Sequence, residues 1–190
     1  MSIAHRIKEI IMDFVKDKYF EYLSNNNILL ICNNDLKKII TNFYNDNNKV
    51  LKNIIRNTLK NDFGSDYPSM TIENTLFDIF QDNSLNINRI VLEIENYQKS
   101  ISKNIELKVF DNNLGIKLNI HDYIEIINAE NPNKDSKDQD EVYDIIKKYK
   151  YIYSINDKEL SKLDINTKIS TIKNYVNSES ILNLILVKEE

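Results

Sequence analysis

Glycine, proline, cysteine, histidine and tryptophan are all scarce in this chain: two, two, one, two and none in 190 residues. The single thiol, Cys32, excludes an intrachain disulfide and suits a reducing compartment. Its neighbours Leu29, Leu30 and Ile31 predict a buried, inert thiol. One Cys and two distant His, His5 and His121, are too few donors for a zinc site or a His-based catalytic triad. Both histidines read as surface or hairpin residues. Neither G-x-x-x-x-G-K-[ST] nor G-x-G-x-x-G is present, so nucleotide binding has no support. The acidic segment NPNKDSKDQDE lacks the order and the turn glycine of a calcium loop, and reads as a solvated loop. Positive charge is not in excess: 25 Lys+Arg stand against 29 Asp+Glu, net −4. Such a balance argues against a nucleic-acid partner. No run of about 18 apolar residues exists to span a membrane. The N-terminal MSIAHRIKEIIMDF scatters its charges and has no apolar core of a signal peptide. The expectation is a soluble, intracellular, cytoplasmic protein without cofactor or metal, and not an enzyme. Association with a virion is compatible with it. The excess of Asn and Ile is the bias that AT-rich genomes leave, large DNA viruses among them.

What is present divides near residue 104. Residues 2–23 carry Ile3, Ile7, Ile10, Ile11, Phe14 and Val15 at helical spacing, with Ser2 placed to cap. NILLIC reads as a short strand or a buried connector. Helical periods follow at 34–45 and 47–62. NDFGSDYPS is a turn cluster, and Thr71 reads as the cap of the next helix. A fifth helix covers 85–101, with Ile87, Ile90, Val91, Ile94 and Tyr97 inward. Residues 1–104 are therefore expected to form an all-α domain. Beyond them the period changes to two. IELKVF, IKLNI and DYIEII read as strands, NAENPNKDSKDQDE as a loop and EVYDIIKK as a helix. YIYSI is a further strand, followed by an Asn156-Asp157 turn. Tyr149, Tyr151 and Tyr153 alternate, which predicts one shared strand face. LDINTKISTIKNYV is an amphipathic helix capped by Asp164 or Asn166, and ILNLILVK closes as a strand. The whole is expected to be α+β. The net negative charge falls on residues 105–190.

Four segments of this second half, in order, resemble a PDZ domain over residues 105–189. NNLGIKL resembles the family's carboxylate-binding loop, with Asn113-Leu114-Gly115-Ile116 where Gly-Leu-Gly-Phe is commonest. IEIINAENP resembles its third strand and trailing Pro. YIYSINDKEL resembles its I-x-S-V-N-G-x-x-L strand and turn. STIKN with ILNLILVK resembles its last helix and strand. The family's pattern is altered at Asn113, at Asn156-Asp157, and at Lys148-Tyr149-Lys150, where a Gly-Asp pair is usual.

The resemblance implies a partly open β-barrel or sandwich with two helices over 105–190, and a function: capture of a partner protein's free C-terminus. Backbone N–H groups of the loop would hold the carboxylate. Gly115, having no Cβ, would allow the close approach, and Asn113 would tolerate a left-handed backbone. The tail would add as a strand along Ile116, Lys117, Leu118 and Asn119. Leu114 and Ile116, with Ile169 and Ile172 from the last helix, would line the pocket for its final residue. Ile165, at the first position of that helix, implies an apolar residue two before the terminus, because a hydroxyl would be buried unpaired. The implied ligand is Φ-x-Φ with Φ apolar. The other reading from the sequence is a structural or assembly subunit, for example of a virion or large complex, whose groove is unused. The oligomeric state is not written in these residues.

Overall fold

The computed structural model describes residues 2–64 and 68–189. The turn expected at 61–69 lies partly outside them. The chain is α+β, with five of its helices in the N-terminal half and its strands, interspersed with two further helices, in the C-terminal half. It forms two compact units, one of residues 1–26 and 31–97, the other of residues 27–30 and 98–190.

The first unit holds α1 (Ile3–Asn26), α2 (Asn33–Asp46), α3 (Asn48–Phe63), α4 (Ser69–Gln81) and most of α5 (Asn83–Ile101). Each buries an apolar stripe at the i, i+3, i+4 spacing that a 3.6-residue period dictates. Ile7, Ile11 and Val15 of α1, Leu36 and Ile40 of α2, Leu51 and Ile55 of α3, Leu76 of α4, and Ile90 and Ile94 of α5 are buried in this way, and α1 packs against α2, α3 and α4. Ser2 caps α1, its Oγ accepting the His5 N–H at 3.2 Å. The interior also holds polar groups with partners: Asn86 donates to the Tyr44 hydroxyl at 3.3 Å and to the Ile79 carbonyl at 2.9 Å. Helix α4 starts at Ser69, with Pro68 at its N-cap, three residues ahead of the expected cap Thr71. The fixed φ of Pro68 lets the helix begin directly after it.

Residues 27–32 are a connector and not a strand. Leu30 and Ile31 are buried, and the next residue, Cys32, points the other way: its thiol is exposed, against expectation. Cys32 sits at the N-cap of α2 in an extended conformation, its carbonyl accepting from Asp35 and Leu36. Leu30 and Ile31 are buried in succession, so strand alternation does not set this exposure; Cys32 stands at the head of α2, where its side chain is left uncovered.

The second unit is built on β1 (Ser102–Lys108), β2 (Ile116–Ile120), β3 (Ile124–Ala129), α6 (Lys137–Ile146), β4 (Tyr151–Ile155), the two-residue β5 (Lys158–Glu159), α7 (Ile165–Ser178) and β6 (Ile181–Val187). The strands form one antiparallel sheet in the order β1-β6-β4-β3-β2, with β5 paired off β4. The sheet is open: β1 and β2 are its two ends, and no strand pair closes it into a barrel. Its core gathers Ile105 and Leu107 of β1, Ile124 of β3, Tyr143 and Ile146 of α6, Ile152 and Ile155 of β4, Ile172 of α7, and Leu182, Leu184 and Leu186 of β6.

The β4–β5 hairpin turns as its residues dictate. Asn156 and Asp157 both have positive φ, which suits residues whose short polar side chains tolerate that region. Asn156 also binds β6, its Oδ1 accepting the Asn183 N–H at 2.8 Å. Asp164 is the cap of α7, its Oδ1 accepting the Thr167 N–H at 3.0 Å. Helix α6 begins at Lys137, four residues before the expected start. Asp138 and Asp140 in its first turn complement the positive end of the helix dipole. The three tyrosines do not share a face. Tyr151 and Tyr153 pack with Leu29 and Leu30 of the connector, whereas Tyr149 precedes β4 and lies against the main core. Tyr149 lies outside β4, which begins at Tyr151, so strand alternation does not place it with the other two.

Candidate functional site

Chain leaving β1 reverses in a tight turn. Phe110 and Asn113 bond through both backbone pairs, at 3.3 and 2.9 Å, across Asp111 and Asn112. Both intervening residues have positive φ, 51° and 54°. The left-handed backbone foreseen at Asn113 therefore belongs to its two predecessors. The work of Asn113 is done by its side chain: Oδ1 accepts the Gly115 N–H at 2.8 Å.

Gly115 has φ +68°, a conformation unfavourable for residues with a Cβ. Its surroundings forbid a Cβ as well. One placed there would stand 2.6 Å from the Tyr143 hydroxyl and 2.7 Å from Pro132 Cδ, and closer still to the Glu130 carbonyl. The close approach is to the chain's own backbone. The Gly115 carbonyl accepts the Glu130 N–H at 2.8 Å, and the Tyr143 hydroxyl donates to the Leu114 carbonyl at 2.7 Å. Burial pushes the Tyr143 phenol up to about 12, so it remains a donor across the neutral range. α6 and the segment after β3 thus hold both peptide groups flanking Gly115.

From this loop the chain enters β2, whose outer edge no strand of the sheet occupies. Ile116, Leu118 and Ile120 are half-buried against the core, while Lys117 and Asn119 point to solvent. The β2–β3 register shifts between Lys117 and Leu118, so the edge is locally irregular. Helix α7 packs against β2. Leu114 and Ile172 belong to the core, each 7% exposed. Ile169 is half-buried, and Ile165, at the first turn of α7, is 48% exposed.

Lys168 was not anticipated. It is 2% exposed, and its Nζ donates to the carbonyls of His121 and Asp122 at 2.8 and 2.7 Å. It ties the start of α7 to the β2–β3 turn. Burial lowers its pKa, against the opposing pull of Asp122 and Asp164. Its signal in the sequence is a lysine on the apolar row of an amphipathic helix, between Ile165 and Ile172. Tyr143 gave none, because its partner is 29 residues away.

On the outer face of the sheet, Glu125 accepts from Asn119 at 3.2 Å and pairs with His121 at 3.6 Å and Lys150 at 3.7 Å. These partners, Asn119 foremost, hold its carboxyl below the usual range. A polar depression of about 420 Å³ lies beside the loop, lined by residues of 113–117 and of the segment from Asn128 to Lys134, with no contribution from α7. Among the described residues, no three His, Cys, Asp or Glu stand where they could hold a metal, and no helix is long and apolar enough to cross a membrane.

The site can thus offer an unpaired strand edge, a neighbouring helix with a partly exposed apolar face, and a rigid loop at the head of the strand. No protein-family model matches this chain, and no curated protein matches it.

Proposed function

We propose that this chain is a protein–protein interaction module whose second unit captures the free, apolar C-terminal tail of a partner protein. The tail adds as a strand to β2, with its side chains toward α7. The observation that carries this reading is the open outer edge of β2, headed by the Gly115 loop and flanked by α7. An edge strand presents a row of backbone donors and acceptors to an incoming strand. The half-buried Ile116 and Leu118, with Ile169 and Ile165 on α7, give the apolar surface that a Φ-x-Φ tail would cover. The four segments that resemble a PDZ domain supply the loop before β2, β3, β4 with its turn, and α7 with β6. In this reading the module has no cofactor, and its partner is a protein and not a nucleic acid.

A second reading, an assembly subunit with an unused groove, is favoured by the first unit's surface. Met70 and Phe77 lie seven residues apart on α4 and are 75% and 65% exposed; Leu85 and Leu92 repeat the spacing on α5 at 62% and 56%. Exposed apolar rows of this kind are typical of surfaces covered by other chains.

The test is a binding screen of the full chain against free C-terminal peptides, with amidated copies as controls. Binding of Φ-x-Φ tails that disappears on amidation supports the first reading. A folded chain that binds no tail, and that elutes as an oligomer, supports the second.

A further inference from the structure

The Gly115 N–H is one of the donors that a tail's carboxylate would need, and it already has an acceptor in Asn113 Oδ1 at 2.8 Å. We propose that Asn113 is a specificity-determining residue of the tail site: its carboxamide oxygen occupies the place of a carboxylate oxygen, and an incoming tail must displace it. This inference rests on the carboxylate-binding reading above.

Three observations make the exchange possible. The Asn113 side chain is exposed, so its carboxamide can pass to water without leaving a buried polar group unpaired. The Asn113 backbone is held by its two bonds to Phe110, so the side chain can swing while the turn stays in place. The peptide groups on both sides of Gly115 are fixed by Tyr143 and Glu130, so its N–H remains presented when Asn113 leaves. The consequence is discrimination. A carboxylate accepts a hydrogen bond about twice as strongly as a neutral carbonyl and can win the exchange. An amidated or internal chain end offers only a neutral oxygen and gains nothing over the carboxamide it replaces. Asn113 thereby weakens all anions by the strength of one neutral bond and excludes uncharged ends.

The glycine scarcity provides the assay. Selective 15N-glycine labelling of the full chain gives two amide signals, from Gly64 and Gly115. The probes are pooled Φ-x-Φ hexapeptides with free C-termini and their C-terminal amides. The expected result is a Gly115 signal that shifts with the free peptides alone. Asn113→Ala should tighten their binding about 2- to 10-fold, the range of one neutral hydrogen bond, and raise the response to the amides. Asn113→Asp, which keeps the acceptor and the turn, should weaken binding by setting one carboxylate against another. Equal or weaker binding by Asn113→Ala, with the Gly115 signal still responding, overturns the role of Asn113 and leaves the carboxylate reading standing. No Gly115 response in the wild type or either variant overturns both.

Discussion

Replacing Gly115 by Ala probes the loop through its backbone. Two costs add. Holding a residue with a Cβ at φ +68° costs about 1–2 kcal/mol. The new methyl also overlaps the Glu130 carbonyl, the Tyr143 hydroxyl and Pro132 Cδ. Two of these cannot retreat freely. Glu130 is bonded through its N–H to Gly115 itself, and moving the Tyr143 hydroxyl breaks its bond to Leu114. Overpacking of this sort costs about 1–3 kcal/mol, so the total is about 2–5 kcal/mol. Gly64 is the internal control: its φ is +56°, but a Cβ there meets nothing within 4 Å. Gly64→Ala meets no overlap, but its φ of 56° with ψ of −126° lies outside the left-handed α region, so its backbone share alone should cost about 1–3 kcal/mol. Urea denaturation of each variant, followed by far-UV circular dichroism and by tyrosine fluorescence unobscured by tryptophan, measures both. The two units need not unfold together, so each transition is fitted separately. If Gly115→Ala lowers the stability of the second unit by no more than about 2 kcal/mol, the backbone share alone, the close approach around Gly115 is not a constraint. The larger Gly115→Val should abolish tail binding in calorimetry while the first unit remains folded; unchanged binding would remove the loop from the site.

Three further outcomes are expected. Ile165→His should move the preferred residue two before the tail's end from apolar to Ser or Thr on a peptide array; an unchanged profile would mean that Ile165 does not face that residue. Tyr143 titrates near 10 when unfolded and is raised to about 12 when folded. The unfolded state therefore loses its proton first, and stability falls as pH rises between these values. Tyr143→Phe should be less stable at neutral pH, for want of the Leu114 bond, yet lose less on alkalinisation; parallel curves would contradict the burial argument. Lys168 has the opposite sign, its folded pKa lying below the ordinary 10.5. Between the two values the unfolded state holds more protons, so the wild type should gain stability relative to Lys168→Met as pH rises toward about 10.5. A difference that is flat with pH would show that the ammonium is not desolvated.

Residues that act within one turn of the chain could be read from the sequence. The apolar stripes of α1, α2, α3 and α5, the Ser2 and Asp164 caps and the Asn156-Asp157 turn each depend on side chains three or four positions apart, or on a residue's own backbone preference. The alternation of β1 and β2 and the α+β division follow from the change of period. Gly115 was conspicuous because the chain has so few glycines, and the tight conformation expected there is present.

Contacts between distant segments were decided in the tertiary structure. The sequence placed Asn113 in the loop but could not say that its side chain would take the Gly115 N–H while Asp111 and Asn112 took the left-handed turn. Tyr143 reaches Leu114 across 29 residues, and Lys168 reaches Asp122 across 46. Neither pairing leaves a local trace. The strand order β1-β6-β4-β3-β2, and with it the free edge of β2, is likewise a choice among long-range pairings, made by which apolar faces can be buried together. Cys32 shows the same limit: its neighbours Leu30 and Ile31 are buried, but whether the thiol beside them is covered depends on what packs against it. Local periodicity told which residues seek burial. Packing between remote segments determined which found it, and which strand was left at the edge of the sheet.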